Sequence, residues 1–200
     1  MLRILITALV LGGWGCRPEP PAGSTPREAL TRLAPCVDRS DGSCLFRELD
    51  RDSRWSVETI HRSLLEARSL VERSYPEHSR AGALGTWEEA SRSATPAEAF
   101  AALAGQRGWS GLVAAGFGAA VDVRETGPDE AEVETTRGVS LPFAARDGRW
   151  GLALWREDLQ RDKLRALDIL EQIRKNALEF DLRRAALEGA PSGEKSADAI

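Results

Sequence analysis

The sequence predicts an α+β domain in which N-terminal helices pack on a curved antiparallel meander of about four strands, followed by a long C-terminal helix. Three observations predict it. Apolar residues recur at three and four positions through the first half of the chain, the period falls to two after about Phe117, and it turns helical again after Trp155. Helices that precede the strands, and do not alternate with them, point away from a parallel α/β sheet.

In the helical half, "TPRE" at Thr25, "TWEE" at Thr86 and "TPAE" at Thr95 each place a threonine three residues before a glutamate, the spacing of a capping box. Each is expected to start a helix, and in the first and third a proline fills the first helical position, where no N–H is needed. The longest early helix is predicted from about Ser53 to Ser74, stopped by Pro76. Val57, Ile60, Leu64, Ala67 and Val71 give it one apolar face, while Arg54, Glu58, Arg62, Glu66 and Glu72 read as its solvated face. "GWSGLVAAGFGAA", from Gly108 to Ala120, is dense in small residues, which suits either close approach of a helix to the sheet or a flexible lid.

The strands follow. "AAVDVRE" and "AEVETT" alternate, and "VSLPFAARDGRWGLALW" reads as two strands joined at Asp147-Gly148, the strongest short hairpin signal. A two-residue turn there sets Arg146 opposite Arg149, Ala145 opposite Trp150, Phe143 opposite Leu152 and Leu141 opposite Leu154. "TTRGV" fits a three-residue loop with Gly138 in the left-handed region, which sets Thr135 opposite Val139 and Val133 opposite Leu141. Both registers turn the apolar residues to one face. Pro142 lacks a ladder donor, so its strand is expected at a sheet edge or bulged.

Residues 156–188 contain no glycine or proline and read as one helix. Arg161, Arg165, Asp168, Gln172, Lys175, Glu179 and Arg183 form a narrow polar sector. The apolar sector, with Leu159, Leu164, Leu167, Leu170, Ile173, Ala177, Leu178, Leu182 and Ala185, is broader than a surface helix needs. Either the helix packs on its own domain along most of its length, or part of it takes a partner. Residues 189–200 are expected to be a disordered tail.

The first stretch, "MLRILITALVLGGWG", has a positive Arg3, an apolar run from Ile4 to Leu11 broken only by Thr7, and small residues at its end. The run is about half of the roughly 20 residues a membrane-spanning helix needs, so residues 1–15 read as a signal peptide. Gly13 and Gly15 fit a cut before Cys16. There the segment resembles a bacterial lipoprotein signal: Gly15 and Cys16 match the pattern, while Gly13 and Trp14 depart from its usual leucine and small residue. The resemblance implies a diacylglycerol thioether on Cys16, attachment to the lipid bilayer and a place in the cell envelope, with the domain outside the cytoplasm. Residues 16–24, "CRPEPPAGS", then form an extended tether of about 25 Å. The alternative is a secreted or periplasmic protein with a bare Cys16 thiol.

Lipidation also accounts for the cysteine count. The chain has three cysteines, and with Cys16 used, Cys36 and Cys44 remain. They can pair in an oxidising compartment across an Asp41-Gly42 turn, or both stay as thiols.

Composition excludes several functions. The net charge is −4, becoming one unit more negative when Arg3 leaves with the signal, and no basic stripe suits nucleic acid. No Gly-rich phosphate loop, zinc spacing, calcium loop or Ser-x-Gly elbow occurs, so no cofactor, metal or catalytic residue is assigned.

Helices followed by a meander closing on "LPFAARDGRWGLAL", with "DRDSRWS" ahead of the long early helix, resemble the nuclear-transport-factor-2-like superfamily from about Thr25 to Trp155. The resemblance implies one cone-like domain over residues 25–188 around a pocket, and the helix after the last strand departs from it. Enzymes of that shape place Asp–His or Tyr–Asp pairs in the cone, where this chain offers His61, His78 and Tyr75. His61 borders the apolar stripe of its helix, either as a hydrogen-bonded core residue or as the base of a pocket enzyme. Asp122, Glu132 and Glu134 alternate with the apolar set and face away. The expected pocket is lined by His61, Leu141, Phe143, Trp150 and Leu152, and Trp55, Trp87, Trp109, Trp150 and Trp155 are expected chiefly in the core. The expected function is a non-catalytic, membrane-anchored envelope lipoprotein that binds a partner protein or a small apolar ligand. Its alternatives are a pocket enzyme using His61, or an assembly subunit forming a homo-oligomer through the 156–188 helix.

Overall fold

The structure, a computed structural model, describes residues 25–188. The signal segment 1–15, Cys16, the tether 16–24 and the tail 189–200 lie outside the described residues. Helix α1 (Pro26–Asp38) begins with a complete capping box: Thr25 Oγ1 accepts from the Glu28 N–H at 3.3 Å, and the Glu28 carboxylate accepts from the Thr25 N–H at 2.9 Å. The Asp41-Gly42 pair starts a helix and does not make a hairpin-like turn. Ser40, at φ +50°, turns the chain, and Asp41 caps α2 (Gly42–Glu48) by accepting from the Cys44 N–H at 2.9 Å. Cys36 of α1 and Cys44 of α2 are disulfide-bonded.

Helix α3 (Arg51–Ser74) starts two residues earlier than expected because Asp50 supplies the cap, and α4 (Glu77–Arg80) is a single turn. At Thr86 the expected helix start is absent. Gly82 and Gly85 take positive φ just before it, and the segment makes two short 3₁₀ turns, Gly85–Trp87 and Ala90–Arg92, with Thr86 inside the first. Thr95 does cap α5 (Pro96–Arg107), and α6 (Trp109–Gly116) follows. Gly116 sits so close to Val139 that a Cβ would lie 3.1 Å from its side chain, so these small residues serve close approach of helix to sheet.

Strands β1 (Ala120–Gly127), β2 (Glu130–Thr135), β3 (Ser140–Arg146) and β4 (Arg149–Leu152) form one open antiparallel sheet in sequence order. The fold is therefore α+β, with helices first, a four-strand meander next and a long helix last. Val133 opposes Leu141, Phe143 opposes Leu152, Ala145 opposes Trp150 and Arg146 opposes Arg149. Asp147 and Gly148 both have positive φ, as the tight turn requires. Leu141 does not reach Leu154, because β4 ends at Leu152. Pro142 explains the ending and corrects its own expected placement. It lies in an interior strand, paired with Glu132 of β2, and its carbonyl accepts from the Ala153 N–H at 2.9 Å, but it has no N–H to return the bond.

Beyond β4 the sheet gains a parallel bridge, Leu49 to Leu152, and the Asp50 N–H donates to the Leu152 carbonyl at 3.0 Å. Gly151 permits this approach: a Cβ there would lie 2.6 Å from the Leu49 carbonyl and the Asp50 nitrogen.

Helix α7 (Arg156–Glu188), about 50 Å long at 1.5 Å per residue, runs beside α3 in the same direction. Ser56 meets Gln160, Glu66 meets Arg174, and Ser74 meets Asp181. The apolar interior has two parts. The main core joins α1, α2, the first half of α3, α5, α6 and the inner face of the sheet, and a smaller cluster joins Ala67 and Val71 of α3, and Tyr75 just after it, to Leu170, Ile173 and Ala177 of α7. The broad apolar sector of α7 is thus divided. Leu159, Leu170, Ile173 and Ala177 are buried, whereas Leu164, Leu167, Leu178 and Leu182 are 42–62% exposed. Among the described residues, no helix is long and apolar enough to cross a membrane.

The disulfide closes a short loop between α1 and α2. Replacing both Cys36 and Cys44 by alanine is expected to lower unfolding free energy by about 2–3 kcal/mol in urea titrations, and thiol reductant should lower the wild type alike. Unchanged midpoints would show that the bond contributes nothing to stability.

Candidate functional site

The start of α3, the start of α7 and the end of β4 meet at Asp50, which is 2% exposed. Its carboxylate accepts from the N–H groups of Asp52 and Ser53 at 3.0 and 3.3 Å and from the Ser53 hydroxyl. Arg156, the first residue of α7, reaches Asp50 at 3.5 Å and Glu130 of β2 at 2.9 Å. Burial works against the Arg156 charge, but the Asp50 and Glu130 carboxylates outweigh it and hold the guanidinium above its ordinary pKa. The first turns of the two long helices are thereby fixed side by side.

Between those turns lies a hollow of about 530 Å³, walled by Asp52, Trp55 and Ser56 from α3 and by Arg156, Glu157, Gln160, Arg161, Lys163 and Leu164 from α7. Trp55 and Leu164 supply apolar surface and are 55% and 54% exposed. Lys163 is only 6% exposed, and its Nζ sits 4.0 Å from the centroid of the Trp55 ring. Among the described residues, this ammonium meets the ring face and no carboxylate within salt-bridge distance. The cations around it are paired: Arg161 with Asp158 at 3.1 Å, and Arg156 as above. Next to Lys163 in sequence, Asp162 is buried and pairs with Arg107 of α5, which anchors this part of α7 to the body. The arrangement can hold a molecule with an apolar body against Trp55 and Leu164 and an anionic end at Lys163.

The residues expected to line a pocket are placed differently. Leu141, Phe143 and Leu152 do come together, but at 0–2% exposure inside the main core, with Trp150 partly buried at its margin. The rings of Phe100, Trp109 and Trp155 occupy that interior, with centroids 5.0–6.0 Å apart. His61 is buried and its Nε2 donates to the Ser93 carbonyl at 3.0 Å, so the ring ties α3 to the segment ahead of α5. Its observed partner is a carbonyl, not the carboxylate that a general base would use. Trp87, Trp109 and Trp155 are core residues, as expected, and Trp55 is not.

Sequence reasoning missed Trp55 and Lys163. For Trp55 a signal was present: at about 100° per residue it lies some 150° from the Val57–Val71 stripe. For Lys163 there was none, since its burial depends on α7 lying parallel to α3. Comparison of the chain with known proteins finds no matching family model, curated protein or solved structure, and identifies no enzyme family.

The junction can be tested at its acid. Asp50→Ala removes the cap of α3 and leaves Arg156 short of a partner, with an expected cost of about 2–4 kcal/mol. Asp50→Asn keeps a capping acceptor and should cost roughly 1 kcal/mol less in the same urea titration. Equal losses would assign the whole effect to the charge.

Proposed function

We propose that this chain is a non-catalytic, lipid-anchored protein of the cell envelope that holds a small amphipathic anion in the hollow between α3 and α7. The observation that carries the ligand reading is Lys163: a largely buried side chain whose ammonium faces a hollow, with an exposed tryptophan and an exposed leucine as the neighbouring surface. A cation costs much to bury, and a ring face offsets only part of that cost, so an anion entering beside it is favoured.

The anchor reading rests on Gly15 and Cys16 after a short apolar run, followed by a proline-rich tether. The disulfide between Cys36 and Cys44 supports it, because such bonds persist in oxidising compartments outside the cytoplasm. A nuclear-transport-factor-2-like ancestry belongs to the same reading, supported by the order of helices, meander and Asp-Gly hairpin. In this chain the face of the sheet that would line a cone is filled by core side chains, and the proposed ligand site lies on the flank beside α7. His61 supports the non-catalytic side of the reading, its ring being spent on a backbone carbonyl.

Two measurements test these parts separately. Labelled palmitate should follow the wild type and not Cys16→Ser, and the variant should leave the membrane fraction; equal membrane retention removes the anchor. For the ligand, decanoate is the probe and decanol its uncharged control. Lys163→Gln should weaken decanoate binding about ten-fold in calorimetry and leave decanol nearly unchanged, while Trp55→Ala weakens both. Undiminished decanoate binding by Lys163→Gln removes the anion site.

A further inference from the structure

The exposed side of α7 carries a pattern that neither the anchor nor the ligand hollow uses. At about 100° per residue, Leu167, Leu178 and Leu182 fall within about 60° of Leu164, while Ala166, Leu170, Ile173 and Ala177, buried against the body, lie about 180–240° away. The four exposed leucines therefore form a stripe opposite the packed face. Between them, on the same side, stand Glu171 and Lys175, both largely exposed and bonded to each other at 2.7 Å.

The stripe reads nearly the same from either end. Leu164 and Leu182 are equidistant from Ile173, as are Glu171 and Lys175, and Leu167 and Leu178 match to within one residue. A two-fold axis through the level of Ile173 would therefore set an antiparallel copy with Leu164 opposite its Leu182, Leu167 beside its Leu178, and Glu171 opposite its Lys175. An isologous interface requires this kind of self-complementarity, with apolar residues meeting apolar and each charge meeting its opposite. A parallel copy would instead place Glu171 on Glu171 and Lys175 on Lys175.

We infer that a second copy of this chain docks antiparallel on α7, through Leu164, Leu167, Leu178 and Leu182, with Glu171 and Lys175 pairing across the two-fold axis. This specifies the partner, direction and register of the helix–helix contact, and it stands independently of the anion reading. It also bears on the hollow: Leu182 of the second copy would cover Leu164, one of the hollow's walls.

The test uses the full chain in two separately tagged, co-expressed forms. Leu164→Cys in one and Leu182→Cys in the other should give a disulfide-linked dimer at least about ten-fold more abundant than two Leu164→Cys copies, whose cysteines an antiparallel pair holds about 27 Å apart. Equal yields, or no dimer, overturn the proposal. In sedimentation equilibrium Glu171→Lys should weaken the dimer about ten-fold, and Glu171→Lys combined with Lys175→Glu should restore it to within about two-fold. Failure of the charge swap to restore the dimer overturns the register. A monomer at every concentration overturns the proposal in favour of coverage by the chain's own terminal segments. Monomer that binds phosphatidylglycerol vesicles, and loses them on Leu178→Glu, overturns it in favour of a lipid surface.

Discussion

The structure depends on one buried carboxylate. Asp50 ends the segment that pairs beside β4, caps the longest early helix and receives the first residue of the last one. A buried charge is costly unless it is surrounded by donors: here α3 supplies two backbone N–H groups and a hydroxyl, α7 supplies Arg156, and the backbone N–H of Asp50 itself donates to β4. Satisfying Asp50 therefore requires the sheet, α3 and α7 to converge at a single point. The direction of α7 follows. Because its first turn is held against the first turn of α3, the two helices run parallel, and a connection of the whole α4-to-β4 region lies between them in sequence.

Parallel alignment sorts the side chains of α7 into two apolar faces. The face against α3 is narrow and mixed: Ala166, Ile173 and Ala177 alternate with polar partners such as Gln160, Arg174 and Asp181, which reach Ser56, Glu66 and Ser74. Small hydroxyl residues on α3 let the helices approach along this seam. Once the seam is filled, the remaining leucines of α7 have no neighbour layer among the described residues, so they face outward. Exposed apolar surface arranged in a regular stripe differs from scattered exposed leucines, which are ordinary on any protein.

Much of the fold was legible from local chemistry. The threonine caps at Thr25 and Thr95, the Asp147-Gly148 turn and the Gly138 loop act within a few residues, and each is decided by the residues that form it. Thr86 failed because Gly82 and Gly85 impose left-handed backbone just ahead of it, and local glycine geometry outweighs a capping pattern. Pro142 was misplaced for a different reason. A missing donor is tolerated in an interior strand when the neighbouring strand ends at that level, and strand length is a tertiary property. The site was less legible. His61, Leu141, Phe143 and Leu152 satisfy the pattern of a pocket wall and a packed core equally well, and the aromatic rings that fill the space come from α5, α6 and the residue before α7. Lys163 could not be singled out, because its partner, Trp55, is more than a hundred residues away in sequence.

Gly151 gives the junction an unusually sharp tolerance. The backbone of Leu49 and Asp50 occupies the place where any other residue at that position would put its first side-chain carbon. A single added methyl would therefore act as a wedge between β4 and the entrance to α3. Its displacement would pass through the Asp50 carboxylate to Arg156, and along a rigid rod of some 50 Å it would be magnified at the far end. The position of the outer leucines relative to the body is thus set, through a lever, by one residue of β4 that has no side-chain carbon.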